Sequence, residues 1–432
     1  GAAWIITAIV LSAIRPGRGR WPKIAALAVA LGIFGGLSWR QVGLWRNTVS
    51  IFSHTIRYNP LDPQPYNIRA IAYAEAGRHE LALEDLNRAV ELGPKDAGYY
   101  VNRARVYSVL GRQAEAAADF SHAIELQSAD ADALSKRGLV YLEQKQYDRA
   151  VEDLGKVIAL QMKDASAYYN RGNAYAGMDR LEEAIADYAE AIRLRPEYIE
   201  AYNNRGSIYL RQEREAEAIA DFQRAIELDP SYVGGYLNLG ALHARCGRYN
   251  QAVDYYSRAL KLEPANSQAL WARARAYVLG GQPELADADF GRLVVLEPKN
   301  AALHKEWGNV CATMRAFGKA VAHYSRAIEL APDEVDTYNR RGILLAQQGN
   351  LNEAIADFDR AIGLKPDDPA GYANRGLACV RLGAPDRARE DWQRVIELDP
   401  NGPVGAKARR SLERLNGMNA SDASGGGGGE RE

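Results

Sequence analysis

The sequence predicts an all-α solenoid of stacked helix pairs. Three observations predict it. A 34-residue pattern recurs ten times in register and without insertion, from 63–96 to 369–402. Each period holds two apolar-periodic stretches split by a break near the fifteenth place, and in most periods a Pro near the thirty-second place ends the second stretch. The twentieth place is always Ala (Ala82 through Ala388), and the twenty-fourth is always large and apolar (Leu86 through Trp392). A period of this size belongs to units that bury their apolar faces on their neighbours, not to a single core.

The chain has 432 residues, more than one core usually organises. With 54 basic and 55 acidic residues its net charge is −1, so no global field draws nucleic acid, and none is expected as a partner. Gly1 to Ile14 carries no charge and reads as the remainder of a membrane helix (1–14). The start at Gly reads as a position inside a longer protein. A basic loop follows (15–23, with Arg15, Arg18, Arg20 and Lys23), then a second uncharged run (24–39) flanked by Trp21 and Trp39. That run is read as a transmembrane helix with interfacial tryptophans. A cleaved signal peptide would have one apolar core and a small-residue cleavage site, whereas here two apolar segments flank a basic hairpin; a buried soluble hairpin is the other alternative. The positive-inside rule puts the loop in the cytoplasm and the repeats on the periplasmic, lumenal or extracellular side, in an integral membrane protein.

Residues 40–62 read as a half-repeat, with Trp45 to Pro60 forming a single helix of the second type. Ten full units follow (63–402). Their eighth place is Gly or Ala, so that two helices approach closely against the large twenty-fourth residue. Pro403 to Leu415 reads as a closing helix (403–416) that covers the last apolar face. The Gly/Ser-rich stretch 417–432 reads as disordered.

The pattern resembles the tetratricopeptide repeat over about four-fifths of the chain. The resemblance implies helix–turn–helix units in a right-handed superhelix, with the first helices lining the concave face. One place departs from that family. The seventh, commonly Leu there, is Arg in eight units: Arg69, Arg103, Arg137, Arg171, Arg205, Arg273, Arg341 and Arg375. The twenty-third is Asp in the same eight: Asp85, Asp119, Asp153, Asp187, Asp221, Asp289, Asp357 and Asp391. The other two units lack both, with Leu239 and Tyr255 in one and Trp307 and His323 in the other. Joint presence and joint absence predict a buried or half-buried bridge between the two helices of each unit, since a guanidinium fork matches a carboxylate. The alternative is exposed charges that share a period by ancestry.

On the concave face the sixth place is Asn in five units: Asn102, Asn170, Asn204, Asn238 and Asn374. An amide can pair with an extended peptide backbone, and the arrangement resembles the asparagine ladder of the O-GlcNAc transferase superhelix. The competing reading is a plain helix-surface residue. Asn173, Arg275 and Asn309 are further peptide-binding candidates, with Tyr169, Asn203, Ser207, Arg211, Trp271, Lys305 and Asn339 able to join. The set is too neutral for a carboxylate clamp.

No phosphate loop, GxSxG elbow, HExxH or CxxC pair is present, so the chain is read as non-catalytic and without a cofactor. His304, His323, Trp307 and Cys311 make 301–334 the least regular unit, and a packing variant is favoured there over a metal site. Cys246, Cys311 and Cys379 read as small buried residues without disulfides. The order of membrane segments, half-repeat and array resembles the C-terminal part of protein O-mannosyltransferase-type membrane glycosyltransferases that carry such repeats. No catalytic motif of that family is matched. The expectation is a membrane-anchored scaffold for protein or peptide ligands, or the acceptor-recruiting part of a glycosyltransferase whose catalytic region lies upstream.

Overall fold

The computed structural model describes residues 48–127, 130–161 and 163–425, with side chains described as far as residue 416. The two apolar runs and the basic loop between them lie outside the described residues. Among the described residues no helix is long and apolar enough to cross a membrane.

The described residues form 22 helices and no strand. They fall into two compact units that divide after Ile208. The first unit holds α1 (Thr48–Tyr58), α2 (Pro63–Glu75), α3 (His79–Leu92), α4 (Ala97–Val109), α5 (Gln113–Leu126), α6 (Ala131–Glu143), α7 (Tyr147–Leu160), α8 (Ala165–Gly177), α9 (Leu181–Leu194) and most of α10 (Ile199–Arg211). The second holds α11 (Glu215–Leu228), α12 (Val233–Arg245), α13 (Tyr249–Leu262), α14 (Ser267–Leu279), α15 (Pro283–Leu296), α16 (Ala301–Thr313), α17 (Phe317–Leu330), α18 (Val335–Gln347), α19 (Leu351–Leu364), α20 (Pro369–Leu382), α21 (Pro385–Leu398) and α22 (Pro403–Gly425). Even-numbered helices up to α20 are the first helices of the repeats. Inside each unit a first helix packs on its own second helix and on the second helix of the repeat before.

Local chemistry accounts for these boundaries. The break at the fifteenth place is a left-handed residue: Gly77, Gly111, Gly247, Gly281, Gly349 and Gly383 take φ between 71° and 89°, and Lys145, Asp179, Glu213 and Arg315 take 58–61° in the same place. A left-handed residue ends a helix by turning its last carbonyls onto backbone N–H groups. First helices start behind a capping side chain. Asp62, Asp96, Asp130, Asp164, Asn266, Asn300 and Asp368 each accept an N–H of the first turn. Within a repeat the small eighth residue meets the large twenty-fourth. A Cβ at Gly376 would sit 2.6 Å from Trp392 Nε1, and one at Gly342 2.7 Å from Phe358.

The core is divided accordingly. Ala116, Phe120 and Ala133 centre one cluster in the first unit; Phe290, Leu270 and Leu303 centre another in the second. Each cluster draws on neighbouring repeats only, which makes stability a sum of local terms. α22 closes the second unit by burying Ala408 and Leu415 against Trp392 and Val395. It runs on to Gly425, past the expected boundary at 416. Cys311 and Cys379 are buried, but Cys246 is exposed, a correction to the expectation that all three pack inside. It sits just past the end of α12, where its thiol approaches Glu215 Oε2 at 3.2 Å.

Candidate binding face

Seven arginines of the seventh place meet the aspartate of the same repeat. Nε and Nη2 of Arg69, Arg103, Arg137, Arg171, Arg273, Arg341 and Arg375 donate to the two oxygens of Asp85, Asp119, Asp153, Asp187, Asp289, Asp357 and Asp391 at 2.6–3.0 Å. All seven aspartates are buried. Hydrogen bonding to the carboxylate raises the arginines above their ordinary value against an opposing loss of hydration, as at Arg69 and Arg137. The eighth pair divides between the two units: Arg205 stands over Tyr202 in the first, and Asp221 is buried in the second.

Sequence reasoning missed the third arm of these arginines. Nη1 donates backwards to the twenty-fifth place of the preceding repeat: to Ser53, Asn87, Ser121, Ser257 and Ser325 at 2.9–3.0 Å, and to Asp359 at 2.5 Å. Each such guanidinium therefore ties together three helices. The signal was present as Ser, Asn or Asp sixteen places before six of the eight arginines, with Gly155 and Ala189 before Arg171 and Arg205.

The two units without the pair replace it with aromatic contacts. Trp307 stacks on His323 with ring centres 3.8 Å apart, and its Nε1 donates to Asp287 Oδ1 at 2.6 Å. Gly291, at the twenty-fifth place, leaves room for the indole, whose ring would lie 3.8 Å from a Cβ there. His304 is buried behind this stack, its ring 5.9 Å from that of His323. In the other unit His243 stacks on Tyr255 at 5.2 Å. Among the described residues no group of His, Cys, Asp or Glu is arranged to hold a metal ion. Burial pushes the Cys311 thiol up to about 11, with Asp287 adding to it.

On the first-helix face of the first unit the amides pair with each other. Asn102 Nδ2 donates to Asn67 Oδ1 at 2.8 Å, one repeat back. Asn204 Nδ2 donates to both Tyr169 Oη and Asn173 Oδ1 at 3.0 Å, and Asn173 Oδ1 also accepts from Tyr188 Oη at 2.8 Å. Burial raises the Tyr188 phenol, which stays a neutral donor. Asn170 is half-buried beside this network.

In the second unit Asn309 Oδ1 accepts from Tyr324 Oη at 2.8 Å, and Asn238 is half-buried on α12. Arg275 is exposed and close enough to act on the Tyr256 phenol, which burial holds up at about 12. Asn339 and Asn374, one repeat apart, line an open groove of about 900 Å³ with Asp336, Arg340 and Ile343. Asn339 is only 9% exposed, and its buried Oδ1 has no hydrogen-bond partner.

Models described as tetratricopeptide repeat or TPR repeat match residues 50–97, 97–130, 138–179, 169–233, 234–266, 308–371 and 369–401. The chain is a tetratricopeptide repeat protein. No curated protein matches it. Solved structures similar to this tetratricopeptide repeat chain include YrrB, described as a TPR protein with an unusual peptide-binding site (22% identity over 44% of this chain and 97% of that one, TM-score 0.39). MamA 41-end from Desulfovibrio magneticus RS-1 is 28% identical over 39% of this chain and 96% of its own, with a TM-score of 0.38. Yeast Tom70 is 17% identical over 92% of this chain and 97% of its own, with a TM-score of 0.37.

Proposed function

We propose that this tetratricopeptide repeat chain is a non-catalytic scaffold whose first-helix face takes an extended peptide or protein segment. One observation carries the reading. In the second unit the face opens into a groove of about 900 Å³, lined by Asn339 and Asn374 from the first helices of two neighbouring repeats. An amide can both donate to and accept from an extended peptide backbone. Asn102, Asn173, Asn204 and Asn309 serve a different end, because their amides already join helices or repeats.

Panning a random dodecapeptide phage library on the full chain tests the scaffold. Peptides should be enriched, and Asn339→Ala should weaken them at least about tenfold with helix content unchanged by circular dichroism. Enrichment of nothing, or of peptides that bind Asn339→Ala equally, would sink the reading.

The membrane tether and the non-cytoplasmic side rest on residues 1–39, with their uncharged runs around Arg15, Arg18, Arg20 and Lys23. Carbonate-resistant sedimentation and protease access to the repeats from the outer side are the expected results. The link to an O-mannosyltransferase-type glycosyltransferase rests on the same segment order, and co-purification of mannosyltransferase activity with the native protein tests it.

A further inference from the structure

We infer that the open side of α1 seats in the headgroup layer of an anionic phospholipid membrane. This rests on the tether reading of residues 1–39 and adds what covers the N-terminal end of the repeats. An end of a repeat array needs the cover that inner repeats take from their neighbours. In the odd-numbered helices α3 to α21 the twentieth, twenty-fourth and twenty-seventh places are all buried, from Ala82, Leu86 and Ala89 to Ala388, Trp392 and Val395. α1 has Thr48, Phe52 and Thr55 at these places and buries no residue at all. Thr48 is exposed and the other two are half-buried. α2 packs on one side of α1, where Ser53 accepts from Arg69. The side left over carries Thr48, Ile51, Phe52, Thr55 and Tyr58, spaced three and four apart and so on one stripe.

Charge, position and residue type point to lipid as the cover. All 55 acidic residues lie from Asp62 onward, so residues 1–61 hold seven basic residues and no acid. Each of the ten later second helices carries at least one acid; α1 has none, and has an exposed Arg57 in its last turn. α1 thus shares the charge of the segment before it, which suits anionic headgroups. Ile51 occupies the twenty-third place, where eight repeats hold the aspartate that receives an arginine from their own first helix. α1 is therefore not built to take a helix of that kind. Tyr58 is 75% exposed and Leu61 71%. His54 flanks the Tyr58 ring at 4.6 Å, and a phenol with an apolar body and a polar tip suits the membrane interface. The uncharged run ends at Trp39, so the chain between it and Thr48 keeps α1 within about 30 Å of where that run would leave a bilayer.

The test uses the full chain with Cys246→Ser, reconstituted in vesicles of phosphatidylcholine and phosphatidylglycerol. Tyr58→Cys carries an environment-sensitive NBD label. Leu126→Cys, at the same thirtieth place two repeats on and 40% exposed, carries it as the control. The label at 58 should emit further to the blue than the label at 126. A nitroxide on the lipid near the headgroup should quench it on the order of twofold, and leave 126 untouched. Phosphatidylcholine alone, or Arg57→Glu, should reduce both effects at 58, because the attraction to anionic lipid is lost. Vesicles that float without the chain overturn the tether and the lipid seat together. A chain that floats with both labels in water overturns the lipid seat and leaves the tether standing. A label at 58 that is blue-shifted but not quenched by the lipid nitroxide also overturns it, because protein then covers α1, from the upstream segment or a second copy.

Discussion

At the scale of residues, the fork between Arg and Asp is where physics is most exacting. Arg137 is 16% exposed at its side chain and Asp153 only 3%. Much of their attraction offsets lost hydration, so the intact pair adds little net stability. Breaking it is another matter. Arg137→Met should cost about 3–5 kcal/mol because it leaves Asp153 charged and alone, and Arg137→Met with Asp153→Leu should recover most of that loss. Urea midpoints of the three proteins check this; a single variant as stable as the parent would mean that water reaches Asp153. The pair was legible because Arg and Asp vanish together from two repeats. The unpaired oxygen of Asn339 was not, since Asn at the fifth place looks the same in sequence whether or not its amide finds a partner. The histidines bear on pH. Burial lowers His243, His304 and His323 below the ordinary value of 6.5, with Arg248 adding to it at the first, Arg326 at the second, and His304 and Lys319 at the third. Glu215, Glu329, Asp287 and the Pro298 carbonyl act against it. Folded-state values below the unfolded one mean that the unfolded chain binds more protons as pH drops. Stability is therefore full above pH of about 6.5 and falls as the pH goes below it, until the folded-state values are passed. Thermal melts at pH 7.5 and 5 should show this loss, and His304→Phe with His323→Phe should reduce it. An unchanged pH slope in that variant would show that these rings do not carry it.

At the scale of elements, the two helices of each repeat and the break between them were legible because one 34-residue template repeats ten times and averages out local ambiguity. The turn at the fifteenth place shows what the template demands of the chain. Six repeats meet the left-handed geometry with Gly, while Lys145 and Arg315 hold it with long side chains at φ 58°. A non-Gly residue there costs about 1–2 kcal/mol, and Gly gives back part of it through the greater freedom it loses on folding. Lys145→Gly should therefore stabilise the chain by roughly 0.5–1 kcal/mol, read as a rise in melting temperature; a fall would mean that the Lys145 side chain contributes contacts of its own. The third arm of each arginine belongs to this scale too. It was not read from the sequence because it depends on how one repeat sits on the next, and a pattern within a single period does not report that. Where the twenty-fifth place is Gly155, Arg171 meets no side-chain acceptor there, so α7 and α8 lack this tie.

At the scale of the whole molecule, stability divides into neighbour contacts, so a cut at one end should be felt only nearby. α22 is the place to make it. Ala408 and Leu415 are buried against Trp392 and Val395, with Val404 and Leu412 packed beside them. Without residues 403–432 that face of α21 meets water. Burying one Leu side chain is worth about 1.5–3 kcal/mol, so losing two leucines and a valine from the contact should bring the last repeat close to local unfolding. Repeats that touch only their neighbours pass such a loss on weakly. Hydrogen exchange on a chain ending at Gly402 should therefore show protection lost in α20 and α21, reduced in α18 and α19, and unchanged in α12 to α14. A uniform loss over the second unit would mean that its repeats unfold as one body, and the clusters seen in the core would then not be the units of its cooperativity. Protection kept in α21 would mean that Trp392 finds other cover, and that α22 is dispensable as a cap.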